Sequence, residues 1–109
     1  MLTVTFRRDS HNRLSSVFAE GHAGWADAGE DLVCAAVSAI LQAAWGGLTD
    51  HAHVEVEGER TGGRLAMRWP EAARDRADVT AIVATAELAV VQIAGQYPKH
   101  VRAKDAQEP

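Results

Sequence analysis

The sequence predicts an α+β domain with the element order ββαββα, in which two helices pack on one face of a small antiparallel or mixed sheet. Three observations support this prediction. Short runs of alternating apolar and polar residues occur in two pairs, which is typical of half-buried strands joined as hairpins. A longer apolar stretch with helical spacing follows each pair. The 109 residues are enough to build one hydrophobic core.

The first hairpin is predicted from the alternation of Leu2, Val4 and Phe6 with polar residues. Turn-forming residues occupy positions 9–12, and positions 14–19 are predicted to form the returning strand. One face of this hairpin is therefore expected to lie against the core.

The first helix is predicted from Glu30 or Asp31 to Trp45, and the two glycines that follow are a stop signal. Nearly every position within it is apolar or small, so it is expected to be covered on most sides. The preceding residues 20–29 contain three glycines. They are predicted to form a loop, because glycine adopts backbone conformations that other residues avoid.

The second hairpin is predicted from alternating runs at residues 51–57 and 64–69, joined by a glycine-containing loop at 58–63. A second helix is then predicted from eight apolar residues with the three-four spacing of one stripe: Val79, Ile82, Val83, Ala86, Val90, Ile93, Ala94 and Tyr97.

The boundaries of this second helix are also predicted. Asp75 or Asp78 is expected to cap its start, and Pro98 ends it. The sequence therefore predicts a single domain over residues 1–102. Residues 103–109 carry almost nothing to bury and are predicted to form a disordered tail.

Composition excludes several classes of protein. One cysteine excludes an intrachain disulfide and a zinc site built from several cysteines. A formal net charge of −4 disfavours phosphate binding, so no nucleic-acid partner is expected. The amino terminus lacks the apolar stretch of a signal peptide, and the longest apolar stretch, residues 32–45, is too short to span a bilayer. We therefore expect a cytoplasmic protein without a membrane partner.

Cys34 is a candidate nucleophile because it lies in or just after the first turn of the predicted first helix. Backbone N–H groups at a helix start favour a negative charge and so favour a thiolate. The negative charges of Glu30 and Asp31 disfavour a thiolate, whereas a nearby cation would favour it. The alternative interpretation is a small hydrophobic side chain in an alanine-rich helix.

Three more residues complete a candidate site around this thiol. His22 lies in the glycine-rich loop, and a loop folded over the helix start would bring its imidazole to Cys34. The alternative is an exposed loop histidine. Asp31 and Ser38 share the side of the helix that carries Cys34. Asp31 would either orient the imidazole or cap the helix, and Ser38 would bond near the sulfur or to a helix carbonyl.

Two segments resemble the signature of the bacterial ribosomal-processing cysteine proteases, the Prp (YsxB-like) family. They are Gly-His-Ala-Gly at 21–24 and Gly-Glu-Asp-Leu-Val-Cys-Ala-Ala-Val-Ser at 29–38. The resemblance covers almost the whole chain, including the opening strand and residues 97–101. It implies a catalytic dyad of His22 and Cys34.

The same resemblance implies that Asp31 and Ser38 support the site, and that the enzyme is a homodimer without a cofactor. Its implied substrate is an amino-terminal extension of the large-subunit ribosomal protein numbered twenty-seven, cleaved through an acyl-enzyme. The loop glycines suggest a gate that orders when the peptide docks: Gly21, Gly24 and Gly29. The alternative is a non-enzymatic homodimeric module that binds ribosomal proteins or assembly intermediates.

Three other features have plainer explanations. His51 and His53 would share one face of a strand, but the sequence offers no third ligand, so no metal is expected. Three alternating apolar residues of the second hairpin are assigned to the core rather than to a peptide groove: Leu65, Met67 and Trp69. A second triplet is assigned to a solvated sheet edge: Glu55, Glu57 and Glu59.

Overall fold

The computed structural model of the chain describes residues 1–21 and 32–109. Within them, the chain forms strands and helices in the order β1 (Leu2–Arg8), β2 (Leu14–Glu20), α1 (Leu32–Gly46), β3 (Glu57–Thr61), β4 (Arg64–Arg68), α2 (Ala77–Gln96) and β5 (Val101–Gln107). A π-helical turn, Gly47–His51, follows α1, and a 3₁₀ turn, Glu71–Ala73, precedes α2. The predicted order ββαββα is confirmed, with a fifth strand after it.

The strands form one sheet in the order β3-β4-β2-β1-β5. All neighbours are antiparallel except β1 and β5, which are parallel. The sheet is therefore mixed, and the predicted α+β class is confirmed.

The alternation in the first hairpin determines which sheet face is buried. Val4 pairs with Ala19 and Phe6 pairs with Val17, and all four side chains are buried. Both helices contribute to the same hydrophobic cluster, through Val33, Val37, Leu41 and Ala44 of α1 and Val79, Val83, Ala86 and Val90 of α2. The two helices thus cover one face of the sheet.

The third strand begins later than the sequence predicts, and the predicted strand at 51–57 is wrong. The two glycines do not stop the chain from coiling, because the π-helical turn continues α1 and buries Leu48 completely. Ala52 N–H closes this turn on the Gly47 carbonyl oxygen at 3.0 Å. Ala52 and Val54 are buried in an irregular connection, so their apolar character reflects core contacts rather than strand pairing.

The end of the described chain also differs from the prediction of a disordered tail. Residues 101–107 form β5 and pair with β1 along its whole length, from Leu2 opposite Val101 to Arg8 opposite Gln107. Arg8 also makes ion pairs with Glu87 of α2 and Asp105 of β5. Pairing with a central strand, rather than apolar content, keeps this segment in the sheet.

A buried polar cluster closes the sheet at the end where β1 leads into its turn. The Asp9 carboxylate accepts hydrogen bonds from Arg13 Nε at 3.0 Å and from Arg74 Nη1 at 3.1 Å. Arg74 donates two further bonds to the Trp69 carbonyl oxygen, and Trp69 Nε1 donates to Leu14 O at 2.9 Å. We call Asp9, Arg13, Trp69 and Arg74 the Asp9 network.

The pKa of Asp9 is set by two opposing effects. Burial raises it, since desolvation disfavours the charged carboxylate. Hydrogen bonds from the Arg13 backbone, the Arg74 side chain and the His11 backbone stabilise the charge. These bonds prevail and hold the pKa of Asp9 well below its ordinary value.

Two helical stretches, Leu32–His51 and Ala77–Gln96, have the length and apolar composition needed to cross a bilayer. The prediction that the longest apolar stretch is too short to do so is therefore wrong, because the π-helical turn extends this stretch to His51. Core helices of soluble proteins have the same properties. In this structure, the buried side chains of each helix belong to the hydrophobic core between the helices and the sheet.

Candidate active site

Cys34 lies near the described start of α1 and is half-buried. It lines a cleft with a volume of about 160 Å³. Ser38, one helical turn later, lines the same cleft. The opposite wall comes from the tip of the β3–β4 hairpin, through Arg60, Thr61, Gly63 and Arg64.

The floor of the cleft is apolar. It is formed by side chains from both helix and sheet: Leu2, Ala19, Val37, Leu41 and Leu65. These residues are all buried, so the sulfur and hydroxyl groups lie where the core reaches solvent. Such a cleft, with few polar groups above an apolar floor, is typical of a small-ligand or peptide site.

Gly21 lines the cleft where the chain leaves β2. Its φ is +105°, and a Cβ at this position would lie 2.4 Å from the Met1 carbonyl oxygen. Its N–H donates to the Gly63 carbonyl oxygen at 3.0 Å, which ties it to the hairpin tip. Only glycine fits both this backbone conformation and the close approach to the Met1 carbonyl oxygen. These two constraints explain why a glycine occupies position 21.

Two polar side chains that the sequence analysis missed connect Ser38 to the hairpin. Gln42 Nε2 donates to Ser38 Oγ at 2.7 Å, and Arg60 Nη1 donates to Gln42 Oε1 at 2.6 Å. The Arg60 guanidinium also lies over the Trp45 ring, 5.6 Å from its centroid. Gln42 continues the four-residue spacing of Cys34 and Ser38, so the sequence did contain a signal for it.

A second arginine at the cleft is held from the outer side of the sheet. The Arg64 guanidinium lies 5.2 Å from the centroid of the Phe18 ring and 3.6 Å from the Glu20 carboxylate. The Arg64 guanidinium therefore lies on the sheet face opposite the helices, and Arg60 is the arginine of this pair whose guanidinium faces α1. Positive charge near a thiol favours the thiolate form.

Four predicted site residues lie outside the described part of the chain: His22, Gly24, Gly29 and Asp31. The structure therefore brings together Cys34, Ser38 and Gly21 of the predicted set. The roles assigned to the other four remain predictions.

The histidine pair does not lie on a strand as predicted. His51 ends the π-helical turn, and His53 lies in the following connection with a φ of +55°. The described residues contain no group of three or more side chains suited to hold a metal ion.

The first period-two triplet lies in the core as predicted, and the second lies at the sheet edge except for Glu55, which precedes β3. The side chains of Leu65, Met67 and Trp69 are buried in the core, and Leu65 also reaches the cleft. The three glutamates are exposed, and two of them belong to the edge strand β3.

Comparison with known proteins gives a family and a fold. A sequence model of the family described as cysteine protease Prp matches residues 1–102. No curated protein matches the chain.

Three solved structures are similar. Ribosomal processing protease Prp from Staphylococcus aureus, with a covalently linked product peptide, has a TM-score of 0.87 and 21% identity, covering 96% of this chain and 99% of that chain. The same protein with a substrate peptide has a TM-score of 0.83, at the same identity and coverage. SMU.848 from Streptococcus mutans has a TM-score of 0.85 and 28% identity, covering 99% of this chain and 96% of that chain.

Proposed function

The chain belongs to the Prp family of cysteine proteases, and we propose that it removes an amino-terminal extension from a large-subunit ribosomal protein during ribosome maturation. The observation that supports this most is the position of Cys34, half-buried at a cleft between α1 and the β3–β4 hairpin. A protein of the same fold from Staphylococcus aureus is a ribosomal processing protease with bound peptide.

In the proposed mechanism, His22 takes the proton of Cys34 and the thiolate attacks the peptide carbonyl carbon. The bond from sulfur to carbon forms first and gives a tetrahedral oxyanion. As this intermediate collapses, the carbon–nitrogen bond breaks and His22 gives its proton to the leaving amine. Water then hydrolyses the thioester and releases Cys34. Asp31 would orient the imidazole, and backbone N–H groups near the helix start or in the glycine-rich loop would stabilise the oxyanion.

The described surroundings of Cys34 suit this chemistry. The guanidinium group of Arg60, which is bonded to Gln42 of α1, brings a positive charge to the cleft and favours the thiolate. The apolar floor suits an apolar side chain of the bound peptide. The proposed gate contains Gly21, Gly24 and Gly29, and the anchored conformation of Gly21 would serve as its fixed end.

The proposal includes a cytoplasmic homodimer whose protease domain spans at least residues 1–102. Apolar side chains on the outer sides of the helices support an interface there, since Leu32 is 71% exposed and Leu88 is 58% exposed. The substitution Leu88→Glu is expected to shift the sedimentation coefficient toward that of a monomer if this face is the interface.

The test of the activity is cleavage of a peptide that spans the extension and its junction with the mature ribosomal protein. We expect Cys34→Ala and His22→Ala each to reduce kcat/KM by about 10³-fold or more. His51→Ala is the matched control for histidine removal, because His51 is exposed in the π-helical turn, and it should retain full activity. Cleavage that continues after Cys34→Ala would overturn the proposal.

A further inference from the structure

A continuous chain of hydrogen bonds runs from the β3–β4 hairpin to the turn of α1 that follows Cys34. It contains the 2.6 Å bond from Arg60 to Gln42 and the 2.7 Å bond from Gln42 to Ser38. The Arg60 side chain is itself held over the Trp45 ring. Both Ser38 and Gln42 line the cleft that contains Cys34.

The chemistry of these groups fixes the direction of every bond in the chain. A guanidinium group only donates, so the oxygen of the Gln42 amide must face Arg60. The amide nitrogen then faces Ser38, and because this nitrogen only donates, the Ser38 oxygen must accept. Arg60 therefore determines which way the amide is turned, and the amide leaves the hydroxyl hydrogen of Ser38 to be donated elsewhere.

We propose that Gln42 and Arg60 are positioning residues that hold the Ser38 hydroxyl as a hydrogen-bond donor toward the sulfur of Cys34. The proposal rests on the proposed role of Cys34 as the nucleophile. Ser38 lies four residues after Cys34 and on the same side of α1, where side chains are neighbours. A hydroxyl donor stabilises a thiolate more than a thiol, and the positive charge of Arg60 polarises the chain that ends at this donor.

The alternative is that the Ser38 hydroxyl donates to a helix carbonyl oxygen one turn earlier, a bond that serine commonly makes. In that case, Gln42 and Arg60 would support the shape of the cleft without acting on the sulfur. The two arrangements differ in what happens to the thiol when Gln42 is removed, so they are separable by experiment.

The test measures the rate at which iodoacetamide alkylates Cys34 as a function of pH. It compares the wild type with Gln42→Leu, Ser38→Ala and the double variant. We expect each single variant to raise the midpoint of the pH–rate profile by about 0.5–1 pH unit, the size expected for loss of one charge-assisted hydrogen bond. The double variant should show no larger shift, because the two residues act through one bond.

Gln92→Leu is the matched control. It makes the same replacement of glutamine by leucine, but at an exposed position on α2. It should leave the midpoint unchanged, and circular dichroism should show that all variants are folded. An unchanged midpoint in Gln42→Leu overturns the proposal, and so does a double variant whose shift is the sum of the two single shifts. The reagent is not a peptide, so failure to cleave the ribosomal extension would count against the proposed substrate and not against this inference.

Discussion

The two ends of the sheet hold polar side chains in opposite ways. At one end, the carboxylate of Asp9 and the guanidinium of Arg74 are both buried and bonded to each other. At the other end, the polar groups around Cys34 and Ser38 are half-buried, and the side chains that support them from Gln42 and Arg60 are exposed. The same fold therefore contains one closed polar cluster and one open cleft.

This difference predicts that the closed cluster contributes more to stability, while the open cleft is the end where we propose that the chemistry takes place. A buried ion pair leaves a strongly unfavourable charge when one partner is removed, so the Asp9 network is expected to tolerate little change. An open cleft can change its hydrogen bonds and contact a substrate at small cost in folding free energy.

The largest loss of stability is expected for Arg74→Met. It removes three hydrogen bonds to Asp9 and Trp69 and leaves the buried carboxylate without its Arg74 partner. We expect the free energy of unfolding, measured by urea denaturation, to fall by about 2–4 kcal/mol, because Asp9 keeps its bonds from Arg13. Below the unfolding transition, the rate of alkylation of Cys34 should equal that of the wild type. A large change in that rate would mean that the two ends are coupled.

A smaller effect, on both stability and the cleft, is expected for Gly58→Ala. A Cβ at this position would lie 2.0 Å from the Ala66 carbonyl oxygen and 2.8 Å from the Trp45 ring. Backbone and ring must shift, so we expect a loss of about 1–3 kcal/mol and a changed tryptophan fluorescence spectrum. Gly62→Ala is the matched control, since a Cβ there has no described atom within 4 Å. Equal stability of the two variants would contradict this prediction.

The smallest effect is a dependence of stability on acid pH. A carboxyl group whose pKa is lowered by folding stabilises the protein above its unfolded pKa, about 4, and this contribution is lost as the pH falls toward the folded pKa. The pKa of Asp9 is lowered in this way. We expect the wild-type free energy of unfolding to fall below about pH 4 and to fall less steeply in Asp9→Asn.

Asp78→Asn is the control for this titration. Asp78 is an exposed carboxyl whose pKa is lowered, chiefly by a hydrogen bond from Arg76. Solvent screens such an exposed pair, so the variant should keep most of the wild-type slope of stability against pH. An unchanged slope in Asp9→Asn, measured by urea denaturation at several pH values, would show that the buried network does not control acid stability.

The sequence predicted the elements whose apolar residues pack in the core and failed for the sheet edges. The first hairpin, both helices and β4 each bury a periodic set of side chains, and this periodicity is visible in the sequence. All five residues of β3 are exposed, and β5 buries little beyond Val101. β3 and β5 are held in the sheet by hydrogen bonds to a neighbouring strand. Such pairing leaves no alternation of apolar and polar residues from which it could be predicted.

The same reason limits what could be predicted of the site. Cys34 and Ser38 lie on one helix, so their spacing alone predicts that they share a side. Gln42 extends that spacing and was predictable. Arg60 reaches the cleft only because β3 lies at the sheet edge beyond β4, and the order of strands was not deducible from local patterns. Asp9 and Arg74, which are 65 residues apart, meet for a similar reason.

The parallel pairing of β1 with β5 has a consequence for how the protein is made. β1 leaves the ribosome before β5, so it cannot complete its pairing until β5 has been synthesised. Leu2, which lines the cleft, is bonded through its N–H to the His100 carbonyl oxygen, just before β5 begins. One residue of the cleft floor is therefore held in place by the segment that leads into β5. A nascent polypeptide that lacks residues 101–107 would carry its thiol on an incomplete sheet, so the protease is expected to mature only after translation has passed them.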